Sequence, residues 1–525
     1  MSFYLGLDAS TQSLTAVLIE ASDSRRAVVG TRSVEYDTAF PAYGTRHGML
    51  PSADPLVAQS SPLMWVEALE RVMAEMGRQF PAEVARLAAV SGSAQQHGSV
   101  YLEAGLDAAL GNLGQAQSLV SVIAPVLARA VAPIWMDAST AAECRSIAAA
   151  VGGDAALARL TGSRAFERFT GPQIRKFATQ EPAAYAATAR IDLVSSFMAS
   201  LLAGRPAPLD PGDASGMNLM RIEDGVWSDE ALDATAPDLR RRLPPIVPAW
   251  TTIGPLADYW RRYGFGPAKS VVWSGDNPCS LIGTGLVREG PVAVSLGTSD
   301  TIFGLMSAPR IDPEGGGHVF GAPTGAWMGL TCFRNGSLAR ERVRDACGMD
   351  WTQFSAALAA TPPGNGGALI LPWFEPEITP TVSRPGVRRQ DLDPADGPAN
   401  VRAVVEAQMM AIANHSSWMG VTVDVVHATG GAAINRAILQ VLADVMNAEV
   451  RGFEVTNSAA LGAALRACHA DRLASSRSAD WEDVIAGFAD PAGVAARPVP
   501  ANVGVYAALR QRYAAFERAS RRPGP

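Results

Sequence analysis

Residues Phe3–Glu20 read FYLGLDASTQSLTAVLIE. Phe3–Asp8 is short and mostly apolar, Ala9–Ser13 is a polar turn, and Leu14–Glu20 is a second strand-like run. Two such runs around a hydroxyl-bearing turn predict a hairpin whose first strand ends in a carboxylate, Asp8. The pattern returns near the middle of the chain, with Pro291–Leu296 (PVAVSL), the polar turn Gly297–Asp300 (GTSD) and Thr301–Leu305. Two hairpins of one kind suggest an internal duplication, each copy opening one domain.

Between and after the hairpins, strand-like and helical segments alternate. Leu87–Ser93, Val271–Ser274 and Val425–Thr429 read as buried strands, and Met64–Gln79, Pro182–Ala203 and Arg436–Met446 carry apolar residues at helical spacing. Alternation of this kind predicts α/β layers. The chain has 525 residues, 48% hydrophobic and 18% charged. That length exceeds the roughly 250–300 residues at which one core stops growing, so two domains are expected. Thr38–Pro55 and Arg384–Asn400, rich in Gly, Pro and polar or charged residues, read as loops or insertions without an assigned role. The tail after Arg518 is expected to fray.

The formal net charge of -7 gives no general attraction for nucleic acid or an anionic membrane. The short arginine clusters at Arg240–Arg242 and Arg521–Arg522 read as a solvated turn and tail. Five widely spaced cysteines with no CxxC pair fit a reduced protein better than a disulfide scaffold or zinc site. The N-terminal MSFYLGLDAS lacks a basic region and carries Asp8 in its first apolar run, unlike a signal peptide. No run reaches the roughly 18 apolar residues of a membrane helix, so a cytoplasmic protein is expected.

Several of these turns carry chemistry-bearing side chains. A carboxylate at the end of a strand lies where ligands bind in open α/β sheets, and a Ser-Thr-Gln turn can hold phosphate oxygens while Asp8 holds Mg²⁺. A surface hairpin with a turn-capping Asp has the same local pattern. Gly297-Thr298-Ser299 is equally ambiguous alone, and the pair strengthens both readings. Gly430-Gly431 after Val425–Thr429 lets a ligand approach the backbone at a helix start, and is also an ordinary tight turn. Asp276-Asn277-Pro278 can supply a base for an attacking hydroxyl or simply start a helix. Gln95-Gln96-His97 suits hydrogen bonding to a polyol, and Arg168 between two aromatics suits a sugar oxygen or a structural carboxylate.

Taken in order, FYLGLDASTQS, SGSAQQHGS, WMDAST, TGSRAFERFTG, SGDNP, VSLGTSDTIFG, ATGGAAINRAILQVLADV and NSAALGAALRA resemble the FGGY carbohydrate kinases. Within them the likeness is to the longer-chain xylulokinase branch. The resemblance implies two actin-like (ribonuclease H-like) ATPase domains, near residues 1–272 and 273–525, with sugar and ATP in a cleft between them. It implies Asp276 as the general base, with Gln96, His97, Arg168 and Asn277 at the sugar. It places Asp8 with Mg²⁺ and phosphate, Thr11 and Gln12 at the first phosphate hairpin and Thr298 at the second. Gly430, Gly431 and Asn435 match the nucleotide turn, and Trp351 falls near the adenine. The implied reaction takes D-xylulose and ATP to D-xylulose 5-phosphate, in a monomer or homodimer without nucleic-acid or membrane partners. The sequence departs from many relatives at Gln96, where Met is common, and at Pro172. A kinase for another ketose or polyol, a sugar sensor, and a non-catalytic actin-like nucleotide-binding protein are the alternatives.

Overall fold

The computed structural model describes residues 2–22, 25–453, 457–490 and 493–521. The chain divides into two compact units, neither continuous in sequence. The first comprises Met1–Val287, Val319–Trp327 and Val455–Asp490, and the second Arg288–His318, Met328–Glu454 and Pro491–Pro525. These bounds differ from a single cut after residue 272, because the helices Asp276–Gly283 and Ser458–Ala474 both belong to the first unit. Glycine permits their close approach: a Cβ on Gly462 would lie 1.9 Å from the Cys279 carbonyl oxygen.

In the first unit Phe3–Ala9 runs antiparallel to Ser13–Ala21 and parallel to Leu87–Ala94. Lys269–Val271 and Ser274–Gly275 pair with the far edge of Leu87–Ala94, the latter beside Ser93 and Ala94. The near-continuous apolar character of the first hairpin follows from burial on both faces. Phe3, Leu5, Leu7, Leu14, Ala16 and Leu18 join one core with Met64, Trp65 and Leu69 of the helix Pro62–Gln79. Tyr4, Val17, Ile19 and Ala21 face the other way, against Ala460, Ala464 and Leu465.

The second unit repeats the arrangement. Val292–Leu296 runs antiparallel to Asp300–Met306 and parallel to Val425–Thr429, which in turn pairs with Glu449–Gly452. The helix Arg436–Met446 follows the glycine turn, as its periodicity predicted.

One helical reading is corrected. Pro182–Ala203 is not a single helix but a short helix Pro182–Ala187, a strand Thr188–Leu193 and a helix Val194–Ala203. Thr188–Leu193 forms an antiparallel ladder with Ser99–Glu103, pairing Ile191 with Tyr101, and this tertiary partner outweighs local helical spacing. Arg384–Asn400, read as a loop, contains the strand Arg388–Gln390 and the start of a helix at Gly397. The final helix runs from Pro500 to Arg521, past the expected fraying point at Arg518, and residues 522–525 lie outside the described residues.

Candidate active site

In the first unit, the C-terminal ends of neighbouring strands bring together residues far apart in sequence. Asp8 is the penultimate residue of the first strand, Gln96 and His97 follow Leu87–Ala94, and Asp276 and Asn277 follow Ser274–Gly275. Asn277 Nδ2 donates to Gln96 Oε1 at 2.8 Å, and Gln96 Nε2 donates to the Gly212 carbonyl at 3.2 Å. The backbone N–H of Asn277 donates to Asp276 Oδ1 at 2.8 Å. Asp276 is the first residue of the helix Asp276–Gly283, in line with the helix-start reading of this turn.

Burial raises both carboxyls. Burial, together with the nearby Asp8 carboxylate, pushes Asp276 up to about 7 against hydrogen bonds from the Asn277 and Gln96 backbones. The side chain keeps partial access to solvent. Burial also raises Asp8, while Ser10 Oγ and Ser93 Oγ donate to its two oxygens at 2.5 and 2.6 Å. Asp8 is buried against the Ser10 and Ser93 hydroxyls, and Asp276 adds a second nearby acid. This hard-oxygen setting fits Mg²⁺, which binds through one or two carboxylates and completes its shell with phosphate and water.

His97 sits in the left-handed region, at φ 73°. Its Nδ1 lies 2.7 Å from the Gly216 carbonyl, its ring centroid 4.6 Å from that of Phe169, and its own carbonyl accepts from Thr170 Oγ1 at 2.9 Å. Burial and the neighbouring Arg168 cation push its pKa down to about 3, so the ring is neutral at any physiological pH. The Arg168 guanidinium stands over Phe166, 5.5 Å from the ring centroid. Thr11 Oγ1 accepts from Trp135 Nε1 at 2.7 Å, and Gln12 is exposed at the hairpin tip.

In the second unit Thr298 is exposed at the tip of the second hairpin. The turn is held from below by the buried pair Arg340–Asp300, 3.0 Å apart, and by Ser337 N donating to the Gly297 carbonyl at 2.8 Å. Gly430 has φ 87°, and a Cβ there would lie 2.7 Å from the Leu296 carbonyl oxygen, so the glycine turn and the second hairpin touch through backbone. Asn435 caps the helix Arg436–Met446, accepting from Ala437 N and Ile438 N, while its Nδ2 donates to Ser355 Oγ at 2.8 Å. Ser355 belongs to the helix Trp351–Ala360, which brings Trp351 into the same region as the glycine turn. Trp351 is 43% exposed, with the Arg344 guanidinium 4.5 Å from its ring.

Three organising residues were not singled out from sequence. Asp137 accepts from Ala58 N, Ser139 N and Gln173 Nε2 at 2.8–3.0 Å, and Gln173 also holds the Glu167 carbonyl of the Arg168 loop. Trp135 reaches the first hairpin, and Asp300 anchors the second. Their only sequence signal was membership of the WMDAST and GTSD segments. The Thr38–Pro55 segment acquires a neighbour: a Cβ on Gly48 would lie 1.8 Å from the Thr11 carbonyl oxygen, so this segment packs on the first hairpin's tip.

Two family models match the chain in contiguous stretches, whereas the two units interleave in sequence. Residues 123–283 match the N-terminal domain of the FGGY family of carbohydrate kinases, and residues 292–470 its C-terminal domain. The chain is 42% identical to the xylulose kinase of Rattus norvegicus, covering 98% of this chain and 96% of that one. It is 40% identical to xylulose kinase 2 of Arabidopsis thaliana, covering 89% and 87%. The crystal structure of xylulose kinase from Rhodospirillum rubrum shares the fold with a TM-score of 0.81, at 19% identity over 98% of both chains. The two sheet-containing units are thus of the actin-like α/β type, and the full-length identity to two kinases of this class carries the assignment further than fold alone. The chain belongs to the FGGY family of carbohydrate kinases.

Proposed function

We propose that the chain transfers the γ-phosphate of ATP to the terminal hydroxyl of D-xylulose, giving D-xylulose 5-phosphate and ADP, with Asp276 as general base. The observation that carries this reading is Asp276, a partly buried carboxyl held near 7 beside Gln96 and Asn277, in a chain 42% identical to rat xylulose kinase. A base with that pKa is largely ionised just above neutrality and still basic enough to take a proton in the transition state.

Each residue has a role in this scheme. Asn277, Gln96 and neutral His97 hold sugar hydroxyls by hydrogen bonds, and Arg168 adds a charged donor. The terminal hydroxyl oxygen attacks the γ-phosphorus, its proton passes to an Asp276 oxygen, and the bond from γ-phosphorus to the bridging oxygen breaks to release ADP. Thr11, Gln12 and Thr298 supply donors to phosphate oxygens. Mg²⁺ held by Asp8 would supply charge neutralisation for the phosphates. Gly430 and Gly431 leave the nucleotide room against the backbone, Asn435 fixes that turn, and Trp351 offers an exposed aromatic face to adenine. In this reading the first unit holds the sugar and the second the nucleotide. Five widely spaced cysteines with no CxxC pair favour a reducing compartment, and we read the protein as cytoplasmic, a monomer or homodimer.

The test is sugar-stimulated ADP release with Mg-ATP across D-xylulose, D-ribulose, L-xylulose, xylitol, glycerol and gluconate. D-xylulose should give the highest kcat/KM. A higher value on another polyol would reassign the pocket around Gln96, and no stimulation by any would remove the kinase reading.

A further inference from the structure

The helix Ser458–Ala474 returns late in the chain to the first unit and carries Arg466 into its interior. Arg466 is 1% exposed, and among the described residues the partners of its hydrogen bonds are not those assigned to sugar or nucleotide. Its Nη2 donates to the carbonyls of Ala249 and Val272 at 3.0 and 3.1 Å, and to Asp210 Oδ2 at 3.2 Å. Its Nη1 donates to the Gly92 carbonyl at 3.3 Å and meets Cys279 Sγ at 3.5 Å. These partners belong to the segments that deliver the sugar residues. Gly92 precedes Gln96 and His97, Val272 precedes Asp276, and Cys279 lies one turn after Asp276.

Asp210 extends the connection. Its Oδ1 accepts from Ser274 Oγ at 2.9 Å and from Asp213 N at 3.0 Å, so it fixes both the residue two before Asp276 and the short helix Pro211–Ala214. That helix presents the Gly212 carbonyl to Gln96 Nε2, and Gln96 in turn accepts from Asn277. A continuous path of hydrogen bonds therefore runs from Arg466 through Asp210 and Gly212 to Gln96 and Asn277. A single planar guanidinium with several fixed donors can hold strand ends and a carboxylate at once, which the compact ammonium of lysine cannot do.

We infer that Arg466, through Asp210, is a positioning residue for the sugar site, setting where Gln96 and Asn277 stand relative to Asp276. The inference rests on the reading of Gln96 and Asn277 as sugar-binding. It explains why the NSAALGAALRA segment, with no ligand role of its own, places a cation at a fully buried position. An apolar residue there would leave the buried Asp210 carboxylate without its counter-charge.

The test compares wild type, Arg466→Lys and Asp210→Asn, each taken only as protein with a cooperative melting transition. D-xylulose affinity is read by titration without ATP, and KM is measured for each substrate in turn. Both variants should raise the KM and dissociation constant for D-xylulose by about tenfold to a hundredfold, the scale of a misplaced binding group, with KM for ATP within about twofold of wild type. Combined, they should cost less than the product of the single effects, because they break one path. A lower melting temperature with unchanged sugar constants overturns the inference, as does an equal rise in both KM values. Should Arg466→Lys fail to fold, Asp210→Asn decides alone, and failure of both marks the pair as structural and overturns it. Wild-type protein that neither binds nor phosphorylates D-xylulose refutes the proposed function instead, a result separable from any variant effect.

Discussion

Asn277 Nδ2 donates to Gln96 Oε1 at 2.8 Å across 181 positions of sequence, tying the residue after Asp276 to the residue before His97. The bond fixes the Gln96 amide, because its other end donates to the Gly212 carbonyl. Gln96→Met removes both interactions and leaves the Asn277 amide its 3.2 Å contact to Asp276 Oδ1. The expected outcome is a change of about 1–2 kcal/mol in discrimination between D-xylulose and D-ribulose, read as the ratio of their kcat/KM values.

Asp276→Asn keeps the shape and removes the proposed base. It should lower kcat by about 10²–10⁴ while KM for ATP holds. In the wild type, kcat/KM should fall on the acid side with an apparent pKa near 7, since the ionised carboxylate is the working form. An acid limb near 4 would mean that Asp276 titrates as an ordinary carboxyl.

The same raised pKa predicts a stability effect of defined sign. A carboxyl raised in the folded state binds its proton more tightly there than in the unfolded chain. Its contribution is fully present below about pH 4 and is lost as pH rises through about 7. Asp276→Asn should therefore melt a few degrees above wild type at pH 8, with the gain shrinking towards pH 4. Equal melting temperatures at both pH values would contradict the burial of this carboxylate.

His97, held neutral by burial and by Arg168, contributes a hydrogen bond rather than a charge. His97→Ala should raise KM for the sugar by about tenfold or more, the cost of an unpaired sugar hydroxyl, and leave KM for ATP unchanged. No ionisation of His97 should enter the pH profile between pH 5 and 9, which proton NMR of the imidazole can check directly.

In the second unit, Arg340 neutralises the buried Asp300 and also donates to Gln408 Oε1 at 2.8 Å. Arg340→Ala strands the carboxylate and should destabilise the fold by about 3–5 kcal/mol, measured by chemical denaturation. Because the pair supports the turn bearing Thr298, protein that still folds should show a raised KM for ATP.

The sequence by itself determined the parts whose signals are local. The two hairpins are legible because strands buried on both faces must be continuously apolar, and a turn between them must be polar. The Gly430-Gly431 pair is legible as a turn after an apolar strand, and the structure gives the reason: at φ 87° a Cβ on Gly430 would lie 2.7 Å from the Leu296 carbonyl oxygen. The family likeness then supplied roles for Asp276, His97 and Asn277 at positions the strand ends already marked. What only the tertiary structure decided were the partners. Thr188–Leu193 is a strand because Ser99–Glu103 lies beside it, and nothing within that run competes with its helical spacing. The Asp276–Gly283 helix joins the first unit because Ser458–Ala474 packs on it through Gly462. Arg466 looks like any arginine on an alanine-rich helix until Asp210, Gly92 and Val272 converge on it. Periodicity and turn chemistry act over a few residues and so leave a local trace. Hydrogen bonds between segments hundreds of residues apart leave none, and folding alone brings those groups together.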